Sequence, residues 1–119
     1  TRLTAGGSLD NSFAGTGNPY FDFGTNDEHD YRGRALVIDN DGRILVAAEI
    51  WTPDHGNDFG VLGLLPDGTP DPSFGNYGPA GRARVHFDQT GAGCTDDRIA
   101  DIAFHHSFIL PSSDRILLG

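Results

Sequence analysis

Histidine is the residue type in this sequence with the most specific chemistry. Five histidines are present, and three of them, His86, His105 and His106, lie in or near the longest loop of the second half. Imidazole nitrogens, together with carboxylates, are common metal ligands. Because no His-x-His or His-x3-His spacing occurs, the competing interpretation is that these histidines are ordinary surface residues. We therefore predict His86, His105 and His106 as the candidate metal ligands.

A second candidate site lies where an apolar strand gives way to a loop. Trp51 closes that strand, His55 follows in the loop, and Asp58 comes soon afterwards. An exposed indole ring beside a carboxylate suits stacking against a sugar. A Trp at the rim of a strand also serves as a packing residue. Trp51, His55 and Asp58 are accordingly the predicted ligand-binding residues, with carbohydrate or protein as the expected ligand.

The segment Asp39-Asn40-Asp41-Gly42 resembles the first half of a calcium-binding loop. It lacks the distal bidentate Glu that completes an EF-hand site. Asp-rich segments ending in Gly also form simple hairpin turns, which is the interpretation we favour. Calcium is nevertheless the best candidate cofactor that the sequence offers.

Other catalytic chemistry has little support in the sequence. The chain has no Gly-x-Ser-x-Gly segment, no phosphate-binding loop and no Cys/His zinc pattern. Its single cysteine, Cys94, precedes Asp96 and Asp97, whose charges would raise the pKa of the thiol, and this argues against a reactive nucleophile. Nothing singles out a pair of carboxylates for glycoside hydrolysis. We predict no catalytic residues, and the question of enzymatic activity stays open.

The net charge of −9 argues against nucleic acid as a partner, because an acidic surface repels phosphates. No apolar run approaches the roughly 18 residues that a membrane-spanning helix needs, so no membrane insertion is expected. The sequence contains no Met and ends on the apolar run 115–119. These features suggest an internal segment, with further units in a parent chain or an oligomeric assembly.

The chain repeats itself. Residues 3–13 align with 64–74 at an offset of 61 (Leu3 to Leu64), with Leu, Gly, Asp, Ser and Phe in register. Ala35 aligns with Ala100, and the tripeptide 43–45 recurs at 115–117. The growing offset indicates longer loops in the second copy. Repeats of this length indicate a stack of similar structural units.

Each copy is predicted to contain short strands between tight turns. Turns rich in Asp and Gly supply positive φ and side-chain acceptors. Asp10 and Ser12 are therefore expected to organise a turn, with Phe13 packing beneath it. Unit 1 is predicted to span 1–63, with strands at about 18–24, 34–38, 43–51 and 59–65. Unit 2 is predicted to span 64–119, with strands at about 82–88, 99–104 and 115–119.

Three motifs in order carry a family resemblance: Gly-Ser-Leu-Asp-Asn-Ser-Phe at 7–13, Asn-Asp-Gly-Arg-Ile-Leu-Val-Ala at 40–47, and Asp-Phe-Gly-Val-Leu at 58–62. This arrangement resembles the bacterial delta-60 repeat. The resemblance implies an all-β fold of antiparallel, four-stranded, blade-like repeats, and about two blades of a β-propeller-like structure. It transfers no catalytic residues.

The leading functional prediction is a non-enzymatic binding or scaffold module of an extracellular or cell-surface bacterial protein. Loops on a rigid β-frame would present its contacts. One alternative is a metal-dependent or hydrolytic enzyme that uses the histidine and acidic loops. The other is a structural repeat that assembles with itself.

Overall fold

Short strands joined by turns account for nearly all regular structure in the part of the chain that the structure describes. The computed structural model describes residues 1–23, 31–52, 56–85, 100–105 and 115–118. The elements are a single 3-10 turn at Phe13–Gly15 and the strands β1 Tyr31–Ile38, β2 Ile44–Thr52, β3 Gly56–Leu64, β4 Arg82–Val85, β5 Ile102–His105 and β6 Arg115–Leu118. No helix among these residues has the length and hydropathy needed to cross a membrane.

The first four strands form one antiparallel sheet in the order β1-β2-β3-β4. The last two pair with each other in a separate antiparallel sheet. The part of the chain that the structure describes is therefore all-β and blade-like, as the sequence predicts.

The central strand β2 reads Ile-Leu-Val-Ala-Ala-Glu-Ile-Trp-Thr, and its apolar residues continue without alternation from 44 to 48. Such a run is typical of a strand buried on both faces of a sheet. Leu45, Ala47, Ala48 and Ile50 are all buried. Both faces of the blade therefore carry a core.

Two hydrophobic clusters line the two faces. The first face consists of the buried residues Ala48, Ile50, Leu62 and Leu64, with Ile44 and Val46 partly buried beside them. Phe13 and Phe23, from the N-terminal segment, pack against this face. The second face consists of Leu45, Ala47 and Val61, with Ala35 and Val37 beside them. Ile102 of β5 packs against the second face, so one unit of the repeat rests on the other.

The repeated segment folds in the same way in both copies. In copy one, Thr4 N–H donates to the carbonyl of Ser8 at 2.8 Å, and in copy two Leu65 N–H donates to that of Thr69 at 2.8 Å. Asp10 and Asp71 each accept hydrogen bonds from the N–H and hydroxyl of the serine two residues later, Ser12 and Ser73. The predicted structural role of Asp10 and Ser12 is confirmed, and Phe13 is buried as expected.

The structure differs from the predicted strands in several places. Residues 18–23 form no strand, although Phe21 and Phe23 follow an alternating pattern. The alternation instead places Phe23 on the first face, and the carbonyl of Asp22 accepts a hydrogen bond from Nε of Arg82. A hydrophobic pattern specifies which side chains are buried but does not guarantee a partner strand.

The second difference concerns β4. It lies in the predicted second unit, yet it pairs with β3 of the first unit, from Phe59 opposite Val85 to Leu62 opposite Arg82. The sheet therefore combines three strands of one sequence unit with one strand of the next. Strand β1 also begins at Tyr31, earlier than the predicted start at residue 34.

Candidate functional site

The predicted metal ligands fall largely outside the described residues. His86 and His106 are not among them, and His105 is described only as the last residue of β5, opposite Arg115. Within the described ranges, no three residues of His, Cys, Asp or Glu come together in a way that could hold a metal ion. The histidine metal site and the enzyme that would use it stay predictions.

The predicted binding residues do not converge in the part of the chain that is described. Trp51 is exposed near the end of β2, where it lies opposite Asn57. Asp58 lies opposite Ile50 and therefore occupies the other face of the sheet. His55 lies outside the described residues. A ligand that stacks on Trp51 would thus contact a surface that does not include Asp58.

Asp58 belongs instead to a buried ion pair. Its carboxylate is fully buried, and Nε of Arg84 donates to Oδ2 at 2.7 Å, joined by Nη2 of the same guanidinium. The guanidinium also lies 5.3 Å from the centroid of the Tyr77 ring. Among the residues that the structure describes, Oδ1 of Asp58 has no hydrogen-bond partner.

The Asp58–Arg84 pair joins β3 to β4. Burial is the largest single influence on the guanidinium of Arg84 and lowers its pKa. The hydrogen bonds to Asp58 and Tyr77, together with the electrostatic attraction of these two groups, more than offset burial, so the pKa of Arg84 is raised above its ordinary value. The strand-pairing pattern places both residues on the first face, with Arg84 opposite Gly60. Sequence reasoning missed Arg84 because a basic residue on a short strand is ordinarily a solvent-facing residue.

The Asp39 loop forms a hairpin turn. Oδ1 of Asp39 accepts from the N–H groups of Asp41 and Arg43 at 2.9 and 2.8 Å, and Oδ2 accepts from Nε of Arg43 at 2.6 Å. Both oxygens of this buried carboxylate therefore have donors. This geometry agrees with the hairpin interpretation of the sequence rather than with a half-built calcium loop.

The acidic residues of the repeated turns also accept hydrogen bonds from the backbone of those turns. Hydrogen bonds from the hydroxyl and N–H of Ser12 lower the pKa of Asp10, and those from Ser73 lower the pKa of Asp71. Asp67 is similar, because the hydroxyl and N–H of Thr69 lower its pKa. These carboxylates stabilise the turns in their ionised form. Part of the acidic composition of the chain therefore serves the structure of the turns.

An open apolar groove of about 320 Å³ lies on the first face. The N-terminal segment forms one wall, and β1, β2 and β3 form the other. Leu36 and Ile38, both on β1, line it with exposed side chains. Arg2 lies at the groove as well, held by an ion pair from its Nε to Asp10 at 2.8 Å.

Residues 40–74 match the family model described as "Domain of unknown function (DUF5122) beta-propeller". No curated protein and no solved structure matches the chain. The matched segment comprises the turn before β2, the strands β2 and β3, and the second copy of the repeated turn. The delta-60 name itself stays a prediction. Over this segment the chain is similar to a propeller-like repeat family of unknown function, in agreement with its blade-like, all-β fold.

Proposed function

We propose that this chain is a non-enzymatic repeat module that serves as a scaffold or binding unit of an extracellular or cell-surface bacterial protein. The observation that carries the proposal is Ile102, which comes from the second unit and is buried among Leu45, Ala47 and Val61 of the first. Units that cover each other's apolar faces build a stacked array, whose rigid frame presents loops to ligands.

The use of the buried charges supports a scaffold. The carboxylates of Asp39 and Asp71 accept hydrogen bonds from the backbone of their turns. Asp58 anchors β4 through its ion pair with Arg84. The side chain of Arg82 donates hydrogen bonds to the backbone carbonyls of Asp22 and Ala80. Glu49 pairs with Arg34 across neighbouring strands at 2.6 Å. Each of these contacts stabilises the blade itself.

Stacking of the units is tested by Ile102→Asp. A carboxylate placed in an apolar cluster is strongly destabilising. We expect the unfolding midpoint in urea to fall sharply, whereas Val85→Asp, at an exposed residue of β4, changes it little. Equal effects of the two variants would contradict the proposal, because burial between units would then contribute nothing.

Ligand binding is tested at Trp51. Its exposed ring supports the proposal of a carbohydrate or protein ligand at this end of the blade. Affinity electrophoresis through gels that contain soluble polysaccharides measures carbohydrate binding directly. We expect retardation that Trp51→Ala abolishes and that Val85→Ala, an exposed apolar residue on another strand, preserves. Retardation that survives Trp51→Ala would place the ligand elsewhere.

A further inference from the structure

The two sheets can be aligned residue by residue through their strand pairing. Val46 and Leu118 each follow the repeated tripeptide Arg-Ile-Leu, so they are equivalent positions. Val46 pairs with Leu36, and Leu118 pairs with Ile102. Leu36 is therefore the counterpart of Ile102, at an offset of 66 residues (36 to 102).

These counterparts have opposite environments. Ile102 is 6% exposed, because it packs against the second face of the first unit. Leu36 is 62% exposed, and its neighbour on the same side of β1, Ile38, is 60% exposed. The first unit thus presents to solvent the position that the second unit buries against a neighbour.

The surroundings of Leu36 and Ile38 are suited to such a contact. They border the groove on the first face, whose remaining lining includes Phe21, Leu62 and Leu64. Adjacent apolar residues in a concave surface typically mark an interaction site. The contact already made by Ile102 shows which type of surface is complementary, namely the second face of another unit.

We propose that the groove around Leu36 and Ile38 binds the second unit of another copy of this chain, head to tail. The second unit offers the required surface: Ala103 is exposed on the side of β5 opposite Ile102. By the same pairing, Ala103 corresponds to Val37, which belongs to the second face of the first unit. This inference rests on the proposed stacking of units and extends it from within the chain to between chains.

A contact of this kind joins two different surfaces. A dimer formed in this way still has a free groove at one end and, at the other end, a free side of β5 that carries Ala103. Further copies can therefore add until a ring closes or a fibre grows. The net charge of −9 opposes association of identical chains. Salt screens that repulsion, and we expect association to strengthen as ionic strength rises.

Sedimentation velocity of the 119-residue chain over a range of concentrations tests the proposal. We expect species heavier than the 12.7 kDa monomer, increasing with concentration. The double variant L36D/I38D should remain monomeric, and so should Ala103→Arg, because each removes one side of the contact. Val85→Asp, an exposed residue of β4, is the matched control and should associate like the unaltered chain.

A mixture of L36D/I38D with Ala103→Arg gives the sharpest result. Each variant keeps one intact surface, so the mixture should form a 1:1 dimer and nothing larger. A monomeric unaltered chain at all concentrations, association that survives L36D/I38D, or a mixture that stays monomeric would each overturn the inference. The urea experiment on Ile102→Asp separates the two claims, since it reports stacking within the chain even if chains do not associate.

Discussion

The ring of Phe13 lies against Gly68, so that a Cβ atom built at Gly68 would approach Cε2 of Phe13 to 2.6 Å. Phe13 ends the first copy of the repeated turn, and Gly68 belongs to the second copy. Two hydrogen bonds join the same segments: Ala14 N–H donates to Asp67 O at 2.6 Å, and Nη1 of Arg2 donates to Pro66 O at 2.8 Å. The two copies of the turn therefore form one structural unit.

Gly68→Ala is predicted to destabilise the protein more than Gly7→Ala does. Both glycines have a positive φ, +89° and +80°, so alanine is strained at either position by about 1–2 kcal/mol. Only Gly68 faces a packed ring, whereas a Cβ at Gly7 meets nothing within 4 Å. Overpacking adds about 1–3 kcal/mol at Gly68. Urea unfolding measures both variants, and equal losses would show that Phe13 does not press on Gly68.

The turns and the central strand are predictable because their signals are local. Asp followed two residues later by Ser or Thr predicts a turn, and Asp10, Asp67 and Asp71 all form one. The continuous apolar run of β2 predicts burial on both faces, which Ala47 and Ala48 confirm. These features depend on backbone geometry and hydrophobicity within a few residues.

The pairing of strands is harder to predict because it depends on distant contacts. Aligning Ala35 with Ala100 implies an offset of 65, which would make Ile102 the counterpart of Val37 on the second face. The strand pairing instead makes Ile102 the counterpart of Leu36. A shift of one residue reverses the face of every side chain, so a small error in alignment conceals which surface stacks.

The candidate site shows the same limit. The exposure of Trp51 follows from its place at the end of a strand, whereas the burial of Asp58 depends on Arg84, 26 residues away. No spacing rule in the sequence links these two residues. A charged residue within an apolar strand, such as Asp58, can therefore belong to an internal ion pair as well as to a ligand-binding site.

Arg84→Met is predicted to be strongly destabilising, because it leaves the carboxylate of Asp58 buried without its partner. Removal of one member of a buried pair typically costs about 3–5 kcal/mol. The double variant D58L/R84M should recover a large part of that loss, since it removes both charges. Urea unfolding of the three proteins gives the coupling between the two residues. If the double variant is less stable than Arg84→Met alone, the pair is not the reason for the loss.

Arg34→Met is the control for the Asp58–Arg84 experiment. Arg34 pairs with Glu49 on a neighbouring strand, as Arg84 pairs with Asp58, but its side chain is 41% exposed. The Glu49 side chain is only 8% exposed, but water reaches the guanidinium of Arg34 and weakens the pair, so we expect a loss clearly smaller than that of Arg84→Met. A loss as large as that of Arg84→Met would contradict the assignment of the difference to burial.

Asp71→Asn is predicted to lower stability at neutral pH and to have no effect in acid. Hydrogen bonds from Ser73 hold the pKa of Asp71 below its usual value. Their contribution is complete above the pKa of the unfolded chain, about 3.9, and is lost as the pH falls through the lower pKa of the folded protein. Urea midpoints of both proteins between about pH 7 and pH 2 should converge in acid. A constant difference would contradict the ionic origin of the effect.

Gly60→Ala is predicted to disrupt the first face, and a second substitution should relieve the disruption. A Cβ at Gly60 would lie 2.3 Å from Cδ1 of Ile50 and 2.9 Å from Cζ of Phe23, so the position admits no side chain while both neighbours keep their places. Such overpacking typically costs about 1–3 kcal/mol. Ile50→Val removes Cδ1, the nearest of these atoms, but keeps Cγ1, which would lie 2.7 Å from the added Cβ. G60A/I50V should therefore recover part of the stability that Gly60→Ala loses, although Ile50→Val alone is destabilising. Gly33→Ala is the matched control on β1, where the nearest atom is Cγ1 of Val46 at 4.0 Å, and it should be tolerated. If adding Ile50→Val lowers stability further, the contact with Cδ1 of Ile50 does not explain the glycine, and the approach of Cγ1 or of Phe23 would have to.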